Sequence, residues 1–128
     1  MALIEIVTAL ALLQYLLFSI RVGQARQKYG VMAPAVTGHE MFERAYRVQM
    51  NTLEVLVLFL PALWLPAQHW SPTLVAVLGA VYLVGRGLYA RSYVRDPASR
   101  GPGFVLSMGP AVTLLIAGLV GAVLAALK

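Results

Sequence analysis

A row of polar and charged side chains leads directly into a segment of this chain that is apolar enough for a lipid bilayer, Val55 to Leu60. At about 100° per residue, the polar side chains fall within about 100° of arc on one helix face. They are Glu40, Glu43, Arg44, Arg47, Asn51 and Glu54. A polar face inside a membrane is costly unless it contacts protein, water or a ligand, so this row predicts a binding or catalytic site.

A second polar stripe occurs on the following predicted helix. Its members share helical spacing and are Gly79, Tyr82, Arg86, Tyr89 and Tyr93, whereas Arg91 and Arg95 point roughly the other way. Both stripes are concentrated towards the same side of the membrane. We therefore expect the polar side chains of the two helices to lie at similar depth.

The charges in these stripes do not balance. Arg47 and Arg86, with Arg26 and Arg100 nearby, face the single carboxylate of Glu54. Arginine binds carboxylates through two parallel hydrogen bonds, so the excess predicts an anionic ligand. The alternative is purely structural: Glu54 pairs with Arg86 or Arg47, and the tyrosines form a belt at the membrane interface.

The elements that position these residues are predicted to be membrane-spanning helices. The chain has 128 residues, of which 60% are hydrophobic and 12% are charged, a composition that a soluble domain does not keep in water. Four apolar runs, extended by their polar turns, reach the roughly 20 residues that cross a bilayer. Short turns favour antiparallel neighbours. We predict an all-α polytopic membrane protein, a four-helix antiparallel bundle forming one domain over residues 1–128, with helices at about 2–29, 38–65, 72–96 and 102–127.

Two short motifs predict where the second and third helices begin. Thr37 and Glu40 have the spacing of a capping box, in which each side chain binds a backbone N–H near the helix start. Ser71 followed by Pro72 predicts a helix with serine as its N-cap and proline at its first position.

The basic residues are distributed unevenly along the chain. Most lie around the first and third connections, while the second connection, residues 66–72, has no Lys or Arg. The positive-inside rule then predicts that connections one and three are cytoplasmic and that both termini are outside. The short loops favour a bacterial inner membrane. The net charge of +5 is thus a topology signal, and nucleic acid is not an expected partner because the arginines lie at helix ends in the membrane.

Cysteine is absent from the chain. Disulfides, thiolate metal ligands and a thiol nucleophile borne by the protein are therefore excluded. The two histidines, His39 and His69, lie on opposite sides of the membrane in this topology. No metal site is expected.

Several segments of the chain resemble the MAPEG family, membrane-associated proteins in eicosanoid and glutathione metabolism. The run from Phe42 to Glu54 is similar to the family's second-helix signature. Residues 82–89 with Tyr93 resemble its third helix, and Ala25-Arg26 the end of its first. Residues 96–104 resemble the third connection of microsomal glutathione transferase members. The resemblance covers essentially the whole chain.

That resemblance implies a homotrimer that binds glutathione as co-substrate between adjacent subunits, near the cytoplasmic side. Matched by motif position, the glutathione-binding residues are Arg47, Asn51, Glu54, Arg86, Tyr89 and Tyr93, with Arg26 and Gln49 from a neighbouring subunit. Arg100 matches the arginine that faces the thiol and is the expected catalytic residue. The implied activity is that of a membrane-bound glutathione transferase or glutathione-dependent peroxidase. Its second substrate is an apolar electrophile or a lipid hydroperoxide that enters from the bilayer.

The chain departs from the leukotriene C4 synthase-like members at two positions. Val55 stands where they have a tyrosine, and Gln27 where they have a second arginine. Two other functions remain open at this point. One is a small proton-coupled multidrug exporter in which Glu54 exchanges protons, although nearby arginines repel cationic substrates. The other is a non-catalytic membrane protein that binds glutathione or lipid.

Overall fold

Four long helices make up almost the whole of the structure, a computed structural model that describes all 128 residues. The helices are α1 (Ala2–Tyr29), α2 (Glu40–Ala67), α3 (Pro72–Arg95) and α4 (Gly101–Ala126), and a 3₁₀ turn, Pro97–Arg100, joins the last two. All four are long and apolar enough to cross a membrane. The predicted all-α fold with four apolar helices is confirmed.

Side-chain contacts show that α1 and α2 run antiparallel. Near one end of the bundle, Trp64 Nε1 donates a hydrogen bond of 3.0 Å to Thr8 Oγ1. Towards the other end, Gln49 Nε2 donates to Ser19 Oγ at 2.9 Å. Residues late in α2 therefore contact residues early in α1, and the order reverses along the pair.

The backbones of the third and fourth helices lie in direct contact because glycines line the surface between them. A Cβ atom added at Gly85 would lie 2.5 Å from the carbonyl carbon of Leu106, and one added at Gly103 would meet the backbone of Tyr89. Small residues at such contacts are typical of helices packed in membranes. Since Gly103 follows Arg100 by three residues, this packing holds the start of α4 and Arg100 beside Tyr89.

The largest apolar cluster lies in the half of the bundle away from Arg47, Tyr89 and Tyr93, and it includes Tyr82, at the deeper end of the second stripe. Ile4, Phe59, Leu63, Tyr82 and Leu114 are fully buried there, and the rings of Phe59 and Tyr82 stack with centroids 3.6 Å apart. Many large apolar side chains on the outer faces, especially on α1 and α4, remain exposed. An exposed apolar surface of this extent fits a bundle surrounded by lipid.

The start of α2 corrects the capping-box prediction. The N-cap residue is His39, whose side chain accepts a hydrogen bond of 3.1 Å from the backbone N–H of Met41. Thr37 cannot serve as the cap because Gly38 has a φ of 142°, which lies outside any helical conformation. The ring of His39 is held in place by stacking on Tyr29, with centroids 4.1 Å apart.

Other helix ends differ from the predicted ranges by small amounts. The second helix begins at Glu40 and continues to Ala67, two residues later at each end than predicted. Pro72 is the first residue of α3, as expected, but Ser71 at the N-cap position makes no side-chain capping bond. Differences of one or two residues do not move a side chain to another face of its helix.

Candidate functional site

Arg86 on α3 is the most deeply buried charged residue, with 0% of its surface exposed. Its Nη1 donates to Oδ1 of Asn51 at 2.8 Å and lies 3.4 Å from Oγ1 of Thr52. Its guanidinium carbon lies 4.1 Å from the centroid of the Tyr89 ring. The Nε and Nη2 atoms have no partner, and Arg86 takes part in neither ion pair of the structure. A buried charge without a counter-charge is costly, so Arg86 favours an anionic partner from outside the chain.

Glu54, the carboxylate nearest to this site, is paired with Arg47 two turns earlier on α2. The two guanidinium nitrogens of Arg47 lie 3.1 and 3.5 Å from the two carboxylate oxygens. Asn51 Nδ2 also donates to Glu54, at 3.4 Å. Glu54 thus pairs with one of the two arginines that the structural alternative named, and Arg86 is left without a carboxylate.

The Arg47–Glu54 pair is open on one side. The side chains are 48% and 53% exposed, so a ligand in the cleft can reach both of them. A ligand that brings both a carboxylate and an ammonium group can offer each side chain a new partner of opposite charge.

A cleft of about 540 Å³ lies beside this network, within the size range of small-molecule sites. Its lining consists of Arg47, Asn51, Tyr89, Tyr93, Arg100 and Phe104. The rings of Tyr89 and Tyr93 stack with centroids 5.6 Å apart. Arg100 is exposed at the end of the 3₁₀ turn and takes part in no ion pair. Five predicted site residues therefore meet in one cleft, and Asn51 connects it to Glu54 and Arg86.

The remaining two predicted site residues lie elsewhere in the chain. Arg26 Nη1 donates to the backbone carbonyl of Ala35 at 2.6 Å, and its guanidinium lies 4.7 Å from the ring centroid of Phe42. Gln49 faces α1, where it contacts Ser19. Neither lines the cleft of its own chain. Their contribution to a neighbouring subunit's site stays a prediction.

Two residues of the site, Thr52 and Phe104, do not follow from the sequence stripes. Thr52 is buried, donates to the backbone carbonyl of Val48 at 2.7 Å and offers its oxygen to Arg86. A hydroxyl directly after Asn51 in an apolar run is the signal that points to it. Phe104 lies four residues after Arg100, one helical turn, so the spacing alone would place the two on the same side.

The chemistry of the cleft is that of an anion site. Three guanidinium groups, those of Arg47, Arg86 and Arg100, lie in it or contact its wall, against the single carboxylate of Glu54. The tyrosines and Asn51 add groups that donate and accept hydrogen bonds. Such a set can bind a molecule with more negative than positive groups, and the free guanidinium of Arg100 can stabilise a further negative charge.

The chain is similar in sequence to one protein family and to several known proteins. The sequence profile of the MAPEG family matches residues 4–120. An uncharacterized protein of Synechocystis is 52% identical over 114 residues, which cover 89% of this chain and 83% of that protein. Human microsomal glutathione S-transferase 2 is 38% identical over 119 residues, 93% of this chain and 81% of the enzyme. Bovine leukotriene C4 synthase is 38% identical over 99 residues, 77% of this chain and 66% of the enzyme.

Proposed function

Because this chain belongs to the MAPEG family, we propose that it is a membrane-bound glutathione transferase or glutathione-dependent peroxidase. The observation that carries the proposal is the charge of the cleft. Arg86, buried against the cleft residues Asn51 and Tyr89, has two guanidinium nitrogens unpartnered, and Arg100, which lines the cleft, forms no ion pair. The name of the human relative, a glutathione S-transferase, supports glutathione as the anionic ligand.

The groups of glutathione match the residues of the cleft. The tripeptide carries two carboxylates, one ammonium group and a thiol. Arg47 and Arg86 are suited to the carboxylates, since guanidinium groups bind them through two hydrogen bonds. Glu54 is suited to the ammonium group. The side chains of Asn51, Tyr89 and Tyr93 would complete the binding set as hydrogen-bond partners of the peptide.

Arg100 is proposed to activate the thiol. A free thiol with a pKa of about 8.5 is only a few per cent ionised at neutral pH, and only the thiolate attacks. A guanidinium in contact would lower that pKa by about one to three units. The thiol proton passes to water, and the sulfur then bonds to the electrophilic carbon while the leaving group departs with its bonding electrons. With a hydroperoxide, the thiolate breaks the O–O bond, and a second glutathione completes the disulfide, releasing alcohol and water.

A homotrimer is proposed because the polar face of α2 needs a cover. Glu54 lies 14 residues into the 28-residue helix α2, about 21 Å from its start, which is well within a bilayer. An ion pair exposed to lipid at this depth is costly. A neighbouring subunit would shield it, and Arg26 and Gln49 of that subunit would complete the glutathione site.

The proposal includes the location of the enzyme and the routes by which its substrates arrive. We place the first and third connections, and therefore the mouth of the cleft, on the cytoplasmic side of a bacterial inner membrane, with residues 1–128 as one membrane domain. Glutathione would enter from the cytoplasm. The apolar electrophile would arrive from the bilayer, through a gap between subunits, to meet the sulfur beside Arg100.

The test is turnover by the purified protein. We expect it to conjugate glutathione to a chlorinated nitrobenzene or to reduce cumene hydroperoxide with glutathione. Glutathione binding without turnover on either substrate would instead identify a non-catalytic binding protein. Proton-driven dye efflux from proteoliposomes, abolished by Glu54→Gln, would identify the exporter, which is disfavoured because Glu54 is engaged by Arg47 and Asn51.

A further inference from the structure

A second and larger groove lies between α1 and α3, beside the start of α2, with a volume of about 910 Å³. Five basic residues line it: Arg21, Lys28, Arg44, Arg91 and Arg95. We propose that this basic groove binds an anionic phospholipid of the adjoining leaflet, with the phosphate among the basic side chains and an acyl chain along the groove floor.

The basic groove is separate from the glutathione cleft. On α1, its lining includes Arg21 and Lys28 but not Arg26, which lies on the opposite side of that helix. On α3, Arg91 and Arg95 line the basic groove, while Tyr89 and Tyr93 line the cleft. On α3 the two sites therefore use different faces, and nowhere do they share a lining residue.

The basic groove has no carboxylate in its lining. Two acids lie beside it: Glu40 is paired with Arg44, and Asp96 lines a neighbouring cavity with Arg91 and Arg95 but forms no ion pair. Arg44 is further fixed by hydrogen bonds of 3.0 and 3.2 Å to the backbone carbonyls of Val94 and Arg95. The other four basic side chains take part in no ion pair. Half of the chain's 10 Lys and Arg residues thus line one groove, and only one of these five is neutralised by an ion pair.

The deeper part of the basic groove is lined mainly by apolar residues and continues away from the charges towards the middle of the membrane, where the polar side chain of Gln14 also lines it. Leu17 and Phe18 line it on α1, and Gly87 and Ala90 line it on α3. Gly87 leaves space, since the atom nearest to a Cβ added there would be Nε2 of Gln14, at 3.9 Å. A charged rim above an apolar channel matches a phosphate joined to an acyl chain, and a soluble phosphate would leave the channel unfilled.

Binding can be measured by native mass spectrometry of the intact protein with phosphatidylglycerol or phosphatidylcholine of identical acyl chains. We expect phosphatidylglycerol to bind at least tenfold more tightly. Each basic residue near a lipid headgroup changes affinity by about fivefold. Arg91→Gln should therefore weaken phosphatidylglycerol binding about fivefold and Arg21→Gln/Arg91→Gln about 25-fold, whereas the control Lys128→Gln, which removes the same charge at the other end of the bundle, should not.

The acyl-chain half of the proposal has its own pair of variants. Gly87→Leu fills the channel and should reduce binding of both lipids, while Gly109→Leu adds the same side chain at an open position on α4 and should not.

Equal affinity for the two lipids, or equal effects of Arg91→Gln and Lys128→Gln, would overturn the proposal. So would full displacement of lipid by glycerol phosphate, which would indicate a soluble anion. If wild type binds no lipid and Arg91→Gln dissociates the oligomer, the basic groove is a subunit interface. If Gly87→Leu fails to fold, the arginine variants still decide whether the basic groove binds the phospholipid headgroup.

Discussion

The buried guanidinium of Arg86 on α3 donates a hydrogen bond of 2.8 Å to the side-chain carbonyl of Asn51 on α2. Asn51 in turn donates to Glu54 at 3.4 Å, so one amide connects a buried cation to the carboxylate at the cleft. Arg86 retains two nitrogens without a partner. The two helices are thus joined by a polar network that has positive charge to spare.

Replacing Arg86 by methionine should separate its role in the ligand site from its role in packing. Without ligand, Arg86→Met should lose no more than about 1 kcal/mol of unfolding free energy, because a well-packed apolar side chain replaces an uncompensated charge. Arg86→Ala should lose about 2–5 kcal/mol, because it also leaves a cavity. Glutathione at about 100 times its Kd should stabilise wild type by about 2.7 kcal/mol but not Arg86→Met, as thermal unfolding in detergent can measure. Equal stabilisation of both would remove Arg86 from the site.

Replacing Arg47 by alanine should weaken glutathione binding itself. A charge-assisted hydrogen bond contributes about 1.5–3 kcal/mol, so the Kd should rise by about 10- to 100-fold. Arg47→Lys retains the charge but loses the paired hydrogen bonds and should give an intermediate Kd. Isothermal titration calorimetry measures these constants. A Kd for Arg47→Ala equal to that of wild type would contradict the assignment.

Replacing Arg100 by alanine should slow turnover while binding is retained. If Arg100 lowers the thiol pKa by one to three units, its loss should reduce kcat at neutral pH by about tenfold or more. Arg95→Ala is a matched control, since Arg95 is exposed nearby but lines the basic groove. Neutral-lipid nanodiscs keep the control independent of anionic lipid. Unchanged kcat in Arg100→Ala would show that another group activates the thiol.

The contact between α3 and α4 should depend on Gly85. A Cβ there would lie 2.6 Å from the backbone nitrogen of Ser107, so Gly85→Ala should destabilise the protein by about 1–3 kcal/mol through overpacking. Gly23→Ala is the control, because nothing lies within 4 Å of the added atom and no proline follows it. It should be neutral or stabilising by up to about 1 kcal/mol, since alanine favours helix. Equal unfolding curves for the two variants would show that the close approach is unimportant.

The helices and most of the cleft could be predicted from the sequence because each follows from a periodic rule. Apolar length against bilayer thickness locates the four helices. Helical periodicity decides which side chains share a face, and the structure brings Arg47, Asn51, Tyr89, Tyr93 and Arg100 into one cleft. When two neighbouring helices each carry a polar stripe, the sequence predicts that the two stripes face each other.

Features that depend on how helices are offset could not be predicted. The sequence allowed Glu54 to pair with Arg47 or Arg86, and the choice depends on the height at which α3 packs against α2. Thr52 reaches Arg86 for the same reason. The N-cap of α2 is His39 and not the predicted Thr37 because of the backbone conformation at Gly38. The conformation of a single residue does not follow from any periodic pattern in the sequence.

The most direct test of the account is an ultraviolet difference spectrum recorded when glutathione is added to the purified protein at neutral pH. We predict a thiolate absorption for wild type that is lost in Arg100→Ala, while calorimetry still detects glutathione binding to that variant. The absence of both thiolate absorption and binding heat in correctly folded wild type would contradict the claim that the surplus of guanidinium groups in this cleft binds and ionises glutathione.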